Sequence, residues 1–271
     1  MTIVQSQPSD ASTEALKILL LFDSTFPYTG GGRETGIYHI CKYGHHLLDM
    51  RMIVLAPPAG VKDKQFSEAE RYCRIEPVFS LQNLAHFRGY NRFAQLMDNL
   101  LFPRRARAQA RKICHQWRPD IVLCVHAGPV GAAAIRLARQ FGCKSVLNMR
   151  SHYSRELQET RSSLRVLLPY IHRVENRVIR DIDLVLANGE DTHELCLRQG
   201  RTKPTVLMHN GVDTELFQPR DGSAMRAELG LNDCMVFLSN NPLRTIKGPQ
   251  DAISALALMP EEIRHRCRLL F

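Results

Sequence analysis

Asn210-Gly211-Val212-Asp213, followed by Phe217 and Pro219, is the stretch that decides how this chain is read. Before it, Pro204-Thr205-Val206-Leu207-Met208 is a short apolar run rich in β-favouring residues. Asn210 and Gly211 both tolerate positive φ, so a strand should end there in a sharp turn. Asp213 and Thr214 can then cap the segment that follows. An isolated Asn-Gly marks only a solvated turn. Six fixed positions within the ten residues 210–219 are a narrower signal.

Outward from that turn, apolar runs alternate with helical periodicity. Residues 17–22 read as a buried strand, 34–48 as a helix and 51–56 as a second strand, a βαβ unit that requires parallel pairing. Between 57 and 118 the pattern loosens, with a strand near 76–79 and a long basic helix over 91–116 that Pro103 should kink or divide. Strands at 121–126, 144–149, 183–187 and 205–208 then alternate with helices at 130–141, 164–181 and 191–198. The fold class is α/β, with one complete Rossmann-like, doubly wound parallel sheet. After the turn a second unit begins, with helices at 224–229 and 249–258 and strands at 235–239 and 268–271. The expected division is a flexible N-terminus (1–15), an N-terminal domain (16–219) and an incomplete second domain (220–271). A piece of that last size cannot normally bury its own core, so the chain reads as C-terminally truncated.

Composition sets limits on function. The 271 residues are 44% hydrophobic and 23% charged, as in globular proteins. Eight cysteines stand singly with no C-x-x-C pair, which disfavours a zinc site and a disulfide framework, and fits a reducing cytosol. Residues 1–15 lack a signal-like apolar stretch, and the run at 18–22 is too short to span a bilayer. The net charge is +9. Arg104, Arg105, Arg107, Arg111 and Lys112 crowd one helix, and Arg155, Arg161, Arg165, Arg173, Arg177 and Arg180 punctuate another. Such surfaces suit an anionic membrane or phosphate-bearing substrates, or are simply solvated helix faces. No nucleic-acid-binding motif accompanies them.

In open parallel sheets, ligands bind beyond the carboxyl ends of the strands. The loop after the first strand runs from Asp23 to Glu34 and contains Gly30-Gly31-Gly32, which lets backbone N–H groups approach a phosphate or sugar ahead of a helix N-terminus. His126 follows a later strand. The run Asn148-Met149-Arg150-Ser151-His152-Tyr153 follows the next, and a histidine in such a loop is a candidate for proton transfer or sugar contact. His45-His46 reads as a surface or capping pair. In the second unit, Arg244, Lys247 and Gly248 lie before a helix N-terminus, where two cations would stabilise a departing diphosphate.

The spacing of Asn210, Gly211, Val212, Asp213, Phe217 and Pro219 resembles the NGVD-x3-F-x-P signature of the nucleotide-sugar-dependent glycosyltransferases of family 4, which have the two-domain GT-B fold. The Pro27–Glu34 loop looks like that family's P-x-x-G-G-x-E element with one extra residue before Glu34, placing Gly30, Gly31, Gly32 and Glu34 on the acceptor side. The resemblance makes Asn210, Gly211 and Asp213 an interdomain turn. Many relatives set one histidine directly after the strand that here precedes Arg150, so Arg150 and His152 share that assignment, with His126 as a third catalytic candidate. Arg244, Lys247 and Gly248 resemble an R-x(n)-K-G element that holds donor phosphates, at a shorter spacing than usual.

What the resemblance implies is transfer of a sugar, with retention, from a nucleoside-diphosphate sugar to an acceptor hydroxyl of a carbohydrate or lipid-linked substrate, in polysaccharide or glycolipid biosynthesis. It implies no cofactor and no metal. The cysteine usage points to a cytoplasmic protein, the basic helices to a peripheral contact with an anionic membrane, and the missing motifs to no nucleic-acid partner. The family's downstream E-x7-E carboxylates would lie beyond Phe271. A second class of function is a catalytically incompetent acceptor-binding or interaction module. A nicotinamide enzyme is disfavoured, because the chain lacks a G-x-G-x-x-G turn and has Ala56-Pro57-Pro58 where an acidic residue should end the second strand.

Overall fold

The computed structural model describes residues 14–24, 26, 32–56, 64–81, 92–155, 167–241, 243 and 245–271. The chain forms two compact units, Met1–Gly211 and Val212–Phe271. The division falls inside the Asn-Gly-Val-Asp stretch itself, earlier than the 219/220 boundary expected from the sequence.

In unit 1, apolar runs with residues facing alternately to either side become seven parallel strands. They are β1 (Leu16–Phe22), β2 (Leu48–Leu55), β3 (Arg74–Val78), β4 (Ile121–Cys124), β5 (Lys144–Met149), β6 (Leu184–Ala187) and β7 (Thr205–Leu207), in the order β3-β2-β1-β4-β5-β6-β7. Because side chains on a strand alternate, Leu19 and Leu21 serve one core while Ile18, Leu20 and Phe22 serve the other. Each buried leucine or phenylalanine contributes about 1.5–3 kcal/mol.

Helices α1 (Gly32–Gly44) and α2 (Lys64–Ala69) supply Ile37, Cys41 and Ala69 to the second core. Against the first core lie α3 (Arg92–Trp117), α4 (Pro129–Phe141), α5 (Leu168–Asp181) and α6 (Glu190–Arg198). Gly131 of α4 lets α5 come close, since a Cβ there would sit 2.6 Å from Val178 Cγ1 and 2.8 Å from the His126 carbonyl oxygen.

Three local expectations change. Helix α1 stops at Gly44 rather than reaching residue 48, because Leu48 already pairs in parallel with Leu16 and β2 starts there. Pro103 sits inside α3 without dividing it. The short α2 went unread, since six residues offer too little periodicity. All eight cysteines are free.

Unit 2 holds α7 (Ser223–Glu228), β8 (Met235–Leu238), a 3-10 turn (Thr245–Lys247), α8 (Pro249–Ala257), α9 (Glu261–Arg264) and β9 (Cys267–Leu270). β8 and β9 pair in parallel from Met235↔Cys267. Leu231 and Cys267 are its buried apolar side chains among the described residues, whereas Phe237 and Leu238 are 39% and 70% exposed. No helix among the described residues is long and apolar enough to cross a membrane.

Candidate active site

After β3 the chain returns to the far side of β1 to form β4, so the loops leaving β1 and β4 diverge and open a crevice at the carboxyl edge of the sheet. Asp23 and Ser24 leave β1, Arg33 and Glu34 open α1, and His126 lies just beyond β4. His126 Nε2 stands 3.1 Å from Asp23 Oδ1, and both side chains are 7% exposed. The Arg33 guanidinium also reaches Nε2. That nitrogen can donate a proton to Asp23 or accept one from Arg33, but not both at once. Among the described residues Asp23 Oδ1 has no partner in hydrogen-bonding geometry, although it lies against the His126 ring. Burial opposes ionisation of Asp23, yet the His126 ring and then Arg33 outweigh it and hold the carboxyl below its usual range. Ser24 Oγ donates to the buried Glu34 Oε1 at 2.8 Å, which ties the β1 loop to the first turn of α1.

The loop after β5 forms a second wall. Arg150 donates to the Gly32 carbonyl oxygen at 2.8 Å and lies over Gly36, where a Cβ would be 2.7 Å from its Cζ. Its Nε is buried without a partner among the described residues. Burial, and then the like charge of Arg33, lower the Arg150 pKa, with Glu34 opposing. Asn148, on the same sheet face as Val146, is 1% exposed and its Nδ2 has no described partner. Tyr153 packs edge-on to His126 with ring centroids 5.0 Å apart. Gly128 leaves room for that ring, since a Cβ there would lie 2.5 Å from Tyr153 Cε1.

What holds Tyr153 in place is a carboxylate from α5. Glu175, 1% exposed, accepts the Tyr153 N–H at 2.6 Å on Oε1, and the Ser154 N–H and hydroxyl at 3.3 and 2.5 Å on Oε2. It occupies the place of a capping side chain for the turn at 153–155.

The structure therefore brings His126, Arg150, Gly32 and Glu34 together. Gly30 and Gly31 lie outside the described residues. His152 is half-buried and makes no hydrogen bond to other described residues. His45 is exposed and its Nδ1 lies 2.8 Å from the Lys42 carbonyl oxygen. Asn210 and Gly211 are exposed but, against expectation, adopt no positive φ and form no turn; the turn lies at 214–216, where Asp213 Oδ1 accepts the N–H groups of Glu215 and Leu216 at 3.1 and 3.0 Å. In unit 2, Lys247 is exposed, and Gly248 takes the left-handed conformation (φ 69°) at the N-terminus of α8. Arg244 lies outside the described residues. Sequence reasoning missed the parts played by Asp23, Arg33, Tyr153 and Glu175. An acid directly after the first buried strand was a usable signal for Asp23, whereas nothing local marks Glu175.

A buried acid–histidine pair beside two guanidinium groups and a helix N-terminus can bind an anionic or hydroxyl-rich ligand and exchange a proton with it. The family model described as Glycosyltransferase Family 4 matches residues 30–216. Two curated relatives are D-inositol 3-phosphate glycosyltransferases. The one from Streptomyces bingchenggensis (strain BCW-1) is 32% identical over 101 residues, covering 35% of this chain and 22% of its own. The one from Catenulispora acidiphila is 36% identical over 86 residues, covering 31% and 21%. These matches thus span about a fifth of the relatives' length. Among solved structures, sucrose-phosphate synthase from Thermosynechococcus elongatus aligns with 94% of this chain and 62% of its own, at a TM-score of 0.68 and 15% identity. A lipopolysaccharide outer core galactosyltransferase aligns over 94% and 67%, at 0.54 and 14%. At such identities the likeness is one of fold, and that fold is GT-B-like.

Proposed function

The chain belongs to glycosyltransferase family 4, and from that premise we propose that it serves transfer of a sugar, with retention, from a nucleoside-diphosphate sugar to an acceptor hydroxyl in polysaccharide or glycolipid biosynthesis. The observation that carries this reading is the buried Asp23–His126 pair flanked by Arg33 and Arg150 at the switch point of a sheet whose strands β2 to β7 lie within the family match. Unit 1 would hold the acceptor. His126 orients its hydroxyl, while Arg33 and Arg150 meet any phosphate it bears, as the acceptor named for the two curated relatives does. His152 and the Gly30-Gly31-Gly32 segment are assigned to the same acceptor side.

In unit 2, Arg244, Lys247 and the N–H groups that open α8 after Gly248 would take the donor diphosphate. In the step itself, the acceptor oxygen bonds to the anomeric carbon as the carbon–oxygen bond to the diphosphate breaks. The acceptor proton passes to a departing phosphate oxygen. Charge on the leaving group is met by these cations and the helix dipole, which is the largest expected contribution. Neither metal nor cofactor enters the step. Asn210, Gly211 and Asp213 lie in the stretch of chain that connects the two units, and the setting is cytoplasmic.

Calorimetric titration with phosphorylated polyols and lipid-linked sugars tests the acceptor side. Binding should weaken about tenfold or more in Arg150→Ala and His126→Ala. Equal binding in both variants, or none by the wild type, refutes the assignment. Turnover with a panel of nucleotide sugars, read by the anomeric configuration of the product, tests the reaction, and an inverted product refutes retention.

A second reading has its own observation. With Met235, Phe237 and Leu238 exposed, unit 2 lacks the packed scaffold that preorganised donor binding needs. On that reading this chain binds acceptor without turnover. Acceptor binding combined with no nucleotide-sugar consumption distinguishes it.

A further inference from the structure

The cations of unit 1 are not spread evenly. Helices α3, α4 and α5 pack side by side over one sheet face, α3 on α4 and α4 on α5, with their apolar stripes turned to the core. Their outward faces carry the charge. On α3, Phe102, Ala106, Ala110 and Ile113 are buried, whereas Arg104, Arg111 and Lys112 on the opposite side are exposed. Arg136 and Arg139 are exposed on α4. On α5, Arg173, Arg177 and Arg180 are exposed at helical spacing.

Acids are nearly absent from the same faces. Among the described residues of these helices, Asp98 and Glu175 are buried, at 0% and 1% exposure, and only Asp181 reaches the surface, 3.5 Å from Arg177. Arg105 does not belong to the face, because it pairs with Asp98 at 3.0 Å, donates to the Phe79 carbonyl oxygen and stacks on the Phe79 ring.

We propose that the outer face of the α3–α4–α5 layer docks this protein on an anionic lipid surface. With a rise of 1.5 Å per residue and neighbouring axes roughly 8–10 Å apart, the exposed cations form a two-dimensional array roughly 20 Å across. A planar array matches a sheet of headgroups. A nucleic acid strand would instead call for a cationic groove with aromatic side chains for stacking. On this face the exposed rings among the described residues are Tyr170, His115 and His172, one on α3 and two on α5, and they line no groove. Few large apolar side chains accompany the cations, so docking is electrostatic without deep insertion and must weaken steeply with salt. The inference stands on charge and packing alone and does not depend on the proposed reaction.

The test is co-sedimentation of the full chain with vesicles of phosphatidylcholine containing phosphatidylglycerol, against phosphatidylcholine alone. Wild-type protein should bind only the anionic vesicles and leave them as salt rises from about 50 to about 500 mM. Arg173→Gln/Arg177→Gln/Arg180→Gln and Arg104→Gln/Arg111→Gln/Lys112→Gln should each weaken binding about a hundredfold, at roughly fivefold per charge. A control triple removing equal charge elsewhere, Arg71→Gln/Arg198→Gln/Arg220→Gln, should change it about threefold at most. All these positions are exposed, so folding should survive, and circular dichroism checks that it does. The proposal is overturned if the control loses as much as the layer variants, if binding ignores salt or lipid charge, or if the protein binds single-stranded RNA while ignoring the vesicles.

Discussion

Glu175→Ala should loosen the wall of the candidate site from beneath. Its carboxylate accepts from the Tyr153 N–H at 2.6 Å, the Ser154 N–H at 3.3 Å and the Ser154 hydroxyl at 2.5 Å. Hydrogen bonds to a charged group contribute about 1.5–3 kcal/mol each. The contact at 3.3 Å is weak, and water can reach the half-buried Tyr153 and Ser154 once the carboxylate is gone, so the expected loss is about 2–3 kcal/mol. Glu175→Gln keeps one acceptor oxygen but turns an NH2 toward an N–H or hydroxyl, so it should cost about 1–2 kcal/mol.

The assay is guanidinium unfolding followed by tryptophan fluorescence. Trp117 is the single tryptophan, donates to Asp49 Oδ2 at 2.8 Å and lies under Arg51, so its signal reports unit 1 alone. A loss of that size shifts the midpoint by about 0.5 M. Tyr153 should also lose its contact with His126, visible as a lost ring-to-ring NOE. A Glu175→Ala protein within about 0.5 kcal/mol of wild type, with the NOE intact, would show that the carboxylate does not hold the turn.

Other outcomes follow from the same geometry. Gly128→Ala places a methyl 2.5 Å from Tyr153 Cε1, and should cost about 1–3 kcal/mol in the fluorescence assay while displacing the ring. Arg201, 6% exposed, donates to the carbonyl oxygens of Ile179, Ile182, Asp183 and Pro204 and to Thr205 Oγ1. Arg201→Ala should therefore cost about 3 kcal/mol or more, and Arg201→Lys should restore less than half of it in the same titration. Asp23 and Asp183 both have carboxyl pKa values lowered from 3.8. For Asp183, burial opposes the shift, and the Ser145 N–H and hydroxyl with Lys203 produce it. Their ionised forms favour the folded state, so this contribution is complete above pH 3.8 and is lost as pH falls through the lower folded values. Unfolding midpoints across about pH 2 to 5 should show Asp23→Asn less acid-sensitive than wild type, and an unchanged slope would contradict the assignment.

Much of this architecture is legible in the chain because the signals are local. Alternation along residues 17–22 and 144–149 places Leu19 and Leu147 in a core whatever the partner strand, whereas Asn210-Gly211 forms no turn: β7 ends at Leu207, neither residue adopts a positive φ, and the chain turns only at 214–216. The same locality marked His126, Arg150 and Glu34 as residues beyond strand ends. Periodicity does not report strand order, and the site depends on it. Asp23 and His126 meet only because β4 lies beside β1, although the two residues stand 103 positions apart in sequence, and Tyr153 meets Glu175 only because α5 folds back over the loop after β5. Likewise the arginines of α3 and α5 form two separate clusters in the sequence, and it is packing on either side of α4 that makes them one charged face. Hydrophobic pattern specifies which residues turn inward. The meeting of charges distant in sequence is decided when the sheet selects its neighbours.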